Sequence, residues 1–218
     1  MIPKKIHYCW FGKSELPPLY KRCLESWDLH LGDYEILRWD ESNVDMDDPF
    51  IKYHYLNKNW AFISDYVRLQ KLHEHGGIYL DTDIEVIRDF DDLLVKDVFL
   101  GQEIPGRLNT AVLGCQKGNS FVQKCLLEMG DRHSSGKAFL IAPELATFVF
   151  EGNNSFGNVT VMPVHSFYPY NPYASDSLGV LMYSDIKKDT YAIHHWGKAW
   201  NESFIHKLKR KVLSFAGK

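Results

Sequence analysis

The sequence predicts an α/β fold, a sheet with parallel strands covered by helices. Three observations lead there. Residues 5–39 read as strand, helix, strand, the pattern of a parallel pair joined by a crossover helix. A short apolar run, Ile78-Tyr79-Leu80, is entered through Gly76-Gly77 and ended by Asp81-Thr82-Asp83. β-rich and helix-periodic segments then continue to Ile193, so the order is mixed rather than segregated.

Lys5–Phe11 is a short β-rich run stopped by Gly12. Pro17 and Pro18 open a helix with Leu19, Cys23, Leu24 and Trp27 at helical spacing. Tyr34–Trp39 alternates as a strand. Residues 47–75 read as helical, broken near Asn57–Asn59, and Gly76-Gly77 stops the second helix. Ile84–Ile87, Phe99–Gly101, Ala111–Cys115, Val159–Val164 and Tyr191–Ile193 read as strands. Ser120–Met129 and Glu144–Phe150 read as helices, and 165–180 as irregular.

With 218 residues the chain can bury one sizeable core. Hydrophobic residues at 45% and charged residues at 24% fit a globular protein, and a net charge of −3 gives no bulk signal for nucleic acid. The balance is uneven: 201–218 carries Lys207, Lys209, Arg210, Lys211 and Lys218 against Glu202, a net +4, leaving −7 elsewhere. Cys9, Cys23, Cys115 and Cys125 show no C-x-x-C spacing, which argues against zinc or a redox motif and for reduced thiols in the cytosol. The start, Met-Ile-Pro-Lys-Lys, has no apolar signal core behind it, and no run of about 18 apolar residues exists to span a membrane.

Asp-x-Asp occurs three times. Asp45-Met46-Asp47 sits in a loop before Pro49, and Asp89-Phe90-Asp91 reads as a helix start. Only Asp81-Thr82-Asp83 directly follows a buried-type strand. Ligands of parallel α/β sheets bind at the carboxyl ends of strands. Two carboxylates there repel unless a cation joins them, and a hard divalent ion such as Mg²⁺ or Mn²⁺ keeps open positions for phosphates. The plainer reading is a polar turn. Upstream, Asp65 and Arg68 share a helix face at i,i+3; they read either as a surface ion pair or as partners for sugar hydroxyls and phosphate. Downstream, Tyr191–Trp200 holds His194, His195, Trp196, Lys198 and Trp200, which read as a third metal ligand with phosphate donors or as core-edge aromatics.

Together these segments resemble the DXD-containing sugar transferases of glycosyltransferase family 32. The likeness rests on Ile2–Gly12, on Ser26-Trp27 with Tyr34-Glu35-Ile36, on Ala61–Leu69, on Gly76–Asp83, and on His194-His195-Trp196 through Trp200. The stretch 61–83 is its specific part, and 101–180 matches loosely. The resemblance implies a GT-A fold, a Rossmann-like mixed sheet flanked by helices, over 1–202. It implies a UDP- or GDP-sugar donor, a saccharide acceptor, Mn²⁺ or Mg²⁺, retention at the anomeric carbon, and a place in surface polysaccharide synthesis such as capsule. By residue, Trp10 stacks on the base and Asp65 and Arg68 hold the donor sugar. Asp81 touches ribose and metal, and Asp83 binds metal most directly. His195 rather than His194 completes the metal set by its spacing to Trp200, and Lys198 and Trp200 meet the diphosphate. Rival readings are a metal-dependent phosphohydrolase or nucleotidyltransferase, and a non-catalytic nucleotide-sugar-binding module.

Residues 203–218 read as a separate basic amphipathic helix. Phe204, Leu208, Val212 and Phe215 form an apolar stripe beside the basic face. The pattern is that of peripheral contact with the cytoplasmic membrane face, where a lipid-linked acceptor would lie, or of packing on the domain.

Overall fold

The computed structural model describes residues 1–152, 156–175 and 177–197. Strand β1 (Lys5–Cys9), helix α1 (Pro18–His30) and strand β2 (Glu35–Trp39) form the expected parallel crossover, with Ile6 opposite Ile36. Two helices follow, α2 (Pro49–Leu56) and α3 (Trp60–His75). Asp48 caps α2 by accepting from the amides of Phe50 and Ile51.

Strand β3 (Gly77–Leu80) then enters parallel to β1. The entry needs both glycines. Gly76 sits at φ +66 and Gly77 at φ +112, and a Cβ would meet Lys117 N at 2.6 Å from the first and Lys5 O at 2.8 Å from the second. This tight approach aims β3 into the sheet and sets Asp81 at its carboxyl end.

After β4 (Ile84–Val86) come β5 (Val98–Ile104) and β6 (Arg107–Cys115), joined at Pro105-Gly106 as a hairpin. Helices α4 (Ser120–Ser135) and α5 (Ala142–Gly152), strand β7 (Val159–Met162), the single-turn α6 (Val164–Phe167) and strand β8 (Ala192–His194) complete the described chain. The main sheet runs β2-β1-β3-β6-β5-β7, and only β6 is antiparallel to its neighbours. β4 and β8 form a separate antiparallel pair, with Ile84 opposite His194.

Period-two alternation divides the core between the two faces of the sheet. Ile6, Tyr8, Ile78 and Leu80 pack with Trp27 of α1, with Leu31 just past its end, and with β4 and β8. Cys9 and Tyr79 pack with α2, α3, α4 and α5 on the other face.

Three expectations shift. The hairpin strands run past Gly101 and begin before Ala111, because Glu103, Arg107 and Asn109 interrupt the apolar pattern without ending the ladder. The strand read as Val159–Val164 stops at Met162, since Pro163 caps α6 instead. β8 lies one residue later than Tyr191–Ile193 and so includes His194. The 203–218 segment lies outside the described residues. All four cysteines are buried free thiols. No helix among the described residues is long and apolar enough to cross a membrane.

Candidate functional site

The carboxyl end of β3 and the β4–β8 pair meet at one cluster. Asp81, Asp83 and His194 each present a ligand atom, all within 4.8 Å of one another. Asp81 is placed by its own amide bonding Ala111 O at 2.8 Å. Asp83 precedes β4, whose register brings His194 across from Ile84. The His194 ring nitrogen Nε2 lies 3.3 Å from Asp83 Oδ2, and the Gly197 amide donates to the same oxygen at 2.8 Å.

The electrostatics follow from burial and sign. Burial pushes the Asp81 carboxyl up, Asp83 beside it adds to this, and Arg68 opposes it. Burial also works on Asp83, but His194 and the Gly197 N–H outweigh it and hold its pKa down. His194 is disfavoured as a cation by burial, yet the facing Asp83 carries it above the usual imidazole value. Its Nδ1 is buried and finds no hydrogen-bond partner among the described residues. Two carboxylates and an imidazole with an unsatisfied nitrogen are a donor set that fits a divalent cation.

Arg68 lies under this cluster, 3% exposed at the side chain. Its Nη2 donates to Asp81 Oδ1 at 2.7 Å and lies 3.1 Å from Asp65 Oδ1, while Nη1 donates to Thr110 Oγ1 at 2.6 Å. The guanidinium stacks over the Tyr79 ring at 4.2 Å. The Asp65–Arg68 pair is therefore a buried one, not a surface pair. Burial raises Asp65 to about 6 even beside Arg68.

The cluster forms one wall of a cavity of about 620 Å³, which Trp10, Asp65 and Trp196 also line. Trp10 is 8% exposed. Its indole N–H donates to Ser14 O at 2.7 Å and its ring packs on Tyr20. Trp196 holds a left-handed φ of +56 and donates from its indole to Tyr170 O. Such a backbone costs on the order of 1–3 kcal/mol in a bulky residue and recurs at functional sites.

Two expected roles move. His195 points away from the aspartates: its Nε2 pairs with Glu85 Oε2 at 2.6 Å, and its amide bonds Asp83 O. His194 takes the place expected of His195, because the antiparallel register with β4 aims alternate side chains to opposite faces. Arg68, expected to donate to substrate oxygens, turns its terminal nitrogens to Asp81, Asp65 and Thr110. Lys198 and Trp200 lie outside the described residues. Sequence reasoning missed Glu103 and Asn109, which line the same cavity, with Asn109 Nδ2 donating to Glu103 Oε2 at 2.6 Å. The Pro105-Gly106 turn was the available signal for a hairpin carrying them.

The family described as "Glycosyltransferase sugar-binding region containing DXD motif" matches residues 17–100, which include Asp65, Arg68, Asp81 and Asp83. Residues 17–100 thus resemble the DXD-containing sugar-binding region of glycosyltransferases. Inositol phosphoceramide mannosyltransferase 3 of Schizosaccharomyces pombe is 34% identical to this chain over 130 residues, 56% of this chain and 35% of that protein. Lactosylceramide 4-alpha-galactosyltransferase of Pongo pygmaeus is 28% identical over 166 residues, 70% of this chain and 74% of that one. The chain thus spans about a third of the fission-yeast protein's length.

Solved structures share the fold. PaToxG glycosyltransferase superimposes with a TM-score of 0.56 at 17% identity, covering 69% of each chain. Galactosyltransferase LgtC, solved with donor and acceptor sugar analogues, gives 0.55 at 13% identity, covering 89% of this chain and 88% of LgtC. The mixed sheet flanked by helices is the GT-A architecture.

Proposed function

We propose that the chain transfers a sugar from a nucleoside diphosphate donor to a saccharide acceptor, with Mn²⁺ or Mg²⁺ held by Asp81, Asp83 and His194. The observation that carries this is the Asp81-Asp83-His194 cluster inside a cavity large enough for a nucleotide sugar. When bound, the cation would offset the negative charge that grows on the departing diphosphate. The imidazole favours Mn²⁺, the softer of the two.

The chain's own residues divide the remaining work. Arg68 holds Asp81 and Asp65 in place as a positioning residue. Asp65 accepts from donor-sugar hydroxyls, and Trp10 offers its cavity face to the base. In the transfer, the acceptor hydroxyl oxygen bonds to the anomeric carbon as that carbon's bond to the diphosphate oxygen breaks. The electron pair leaves on that oxygen, which also takes the hydroxyl proton. Asp65 is paired with Arg68, and Glu103 with Arg107 and Asn109, partners that suit each carboxylate to accepting from hydroxyls rather than to covalent attack. Attack on the same face, with retention, fits this arrangement.

The acceptor is read as lipid-linked, met at the cytoplasmic face of a membrane during surface polysaccharide synthesis. What supports the lipid is a run of exposed apolar residues in the sequence, Leu178, Val180, Met182 and Tyr183, together with relatives whose names specify inositol phosphoceramide and lactosylceramide.

The experiment is incubation with UDP- and GDP-sugars and a divalent cation. Release of nucleoside diphosphate with free or transferred sugar is expected. Release of pyrophosphate would move the chain to the nucleotidyltransferases, and metal-dependent binding without turnover would make it a binding module.

A further inference from the structure

A second cavity, of about 370 Å³, lies beside the first, between the β5–β6 hairpin and the irregular segment after α6. Among the described residues, Glu103 is the one that lines both cavities. We propose that this second cavity is the acceptor subsite, holding one or two sugar rings, with Glu103 binding the hydroxyl that attacks the donor. The assignment rests on the transferase reading above.

Transfer between two substrates requires two spaces that meet at one oxygen–carbon pair; hydrolysis requires one space and water. Glu103 stands at such a meeting point, and its position is built rather than incidental. The β5–β6 pairing slips between Leu100 and Gly101 and again between Gln102 and Ile104, at Glu103 itself. Such irregularities re-aim side chains. Glu103 is 8% exposed, and its carboxylate is fixed by Arg107 at 2.8 Å and by Asn109 at 2.6 Å. A carboxylate offers about four acceptor positions, so these two partners leave capacity for a substrate hydroxyl. Its orientation is set before substrate arrives, which lowers the cost of alignment.

The opposite wall is arranged with the same economy. A Cβ on Gly101 would meet the Tyr168 ring at 2.6 Å, so glycine there lets the 168–171 segment approach β5. Asn171 ties that segment to Glu103 O at 3.4 Å, and Trp196 ties Tyr170 O to the neighbourhood of His194 at 3.0 Å. The cavity then presents a half-buried tyrosine ring, Tyr170, with Asn171 and Asp185 as polar neighbours. An aromatic face for C–H groups beside amide and carboxylate partners for hydroxyls is the chemistry that binds a saccharide. The volume lies near the lower end for small-molecule sites, below the donor cavity.

The test uses the full chain with whichever UDP- or GDP-sugar it hydrolyses, a divalent cation, and a panel of methyl hexopyranosides and lactose at high concentration. Transferred and free sugar are counted in the same tube. Ala174→Trp fills the second cavity, and Val180→Arg charges its exposed rim where folding is not at risk. Each is expected to lower the ratio of transfer to hydrolysis by about tenfold or more. Glu103→Gln is expected to lower the same ratio and to raise the acceptor KM. An unchanged ratio in both Ala174→Trp and Val180→Arg, at wild-type melting temperature, overturns the assignment. So does a wild-type chain that hydrolyses donor but transfers to no saccharide in the panel. A chain that consumes no nucleotide sugar at all fails earlier, at the transferase reading, and takes this subsite with it.

Discussion

Replacing Arg68 by Met keeps side-chain length and removes the charge that Asp81 and Asp65 share. In the native chain that charge lies 2.7 Å from one carboxylate and 3.1 Å from the other, almost wholly out of water. Breaking a buried pair by removing one partner costs about 3–5 kcal/mol, because the other charge is left uncompensated. For a chain of this size about 1 kcal/mol moves the melting temperature by roughly 2–4 °C, so a fall of about 6–20 °C is expected. Thr110→Val, which removes only the hydrogen bond at 2.6 Å, should cost about 1 kcal/mol. Equilibrium urea unfolding at fixed pH reads both. Asp81→Asn, introduced into the Arg68→Met chain, should then cost less than it does alone, with a coupling of about 1–3 kcal/mol. A loss below about 1 kcal/mol for Arg68→Met, with no coupling to Asp81, would refute the claim that Arg68 holds the acidic pair.

Acid should weaken the fold through its buried histidines. His7 and His54 are fully buried, and burial lowers each to about 4 from the usual 6.5. His7 donates from Nε2 to Gly76 O and accepts at Nδ1 from the Trp39 indole, an arrangement only the neutral ring can make. Below 6.5 the unfolded chain takes protons that the folded chain refuses down to about 4. Stability therefore falls across that window, by up to about 3 kcal/mol per histidine; His7→Gln should flatten the slope, and an unaltered slope contradicts the mechanism. Trp10→Ala should weaken nucleoside diphosphate binding by roughly ten- to a hundredfold in calorimetry, the worth of one base–aromatic stack; unchanged affinity in a folded variant would leave Trp10 as core alone. Residues 203–218 should carry membrane affinity: the full chain should sediment with anionic vesicles more than a chain ending at Glu202, and equal sedimentation removes the membrane role.

The sequence revealed most where local chemistry and tertiary role coincide. Gly76-Gly77 announced the end of a helix, and Asp81-Thr82-Asp83 stood out as charge placed directly after a buried strand. The β-α-β opening was legible because Pro18 starts α1 and the apolar spacing of Cys23 and Trp27 matches a buried face. Legibility failed where a residue's role depends on register. Whether His194 or His195 faces the aspartates is decided by pairing with Ile84 across β8 and β4, more than a hundred residues apart in sequence. Arg68 looked like a substrate donor because its partner Thr110 lies 42 positions away. Glu103 and Asn109 were passed over because polar residues in a strand read locally as loop, although they face a cavity from inside a ladder.

The central claim is that Asp81, Asp83 and His194 together hold the cation that drives sugar release from a nucleotide diphosphate. It is tested most directly by measuring nucleotide-sugar hydrolysis against Mn²⁺ and Mg²⁺ concentration in the wild-type chain, Asp83→Asn, His194→Ala and His195→Ala. The expected result is turnover that chelation abolishes, that Asp83→Asn eliminates, and that His194→Ala shifts to much higher metal concentration while His195→Ala shifts it far less. Turnover indifferent to chelator, or a metal requirement displaced by His195→Ala and not by His194→Ala, would contradict it.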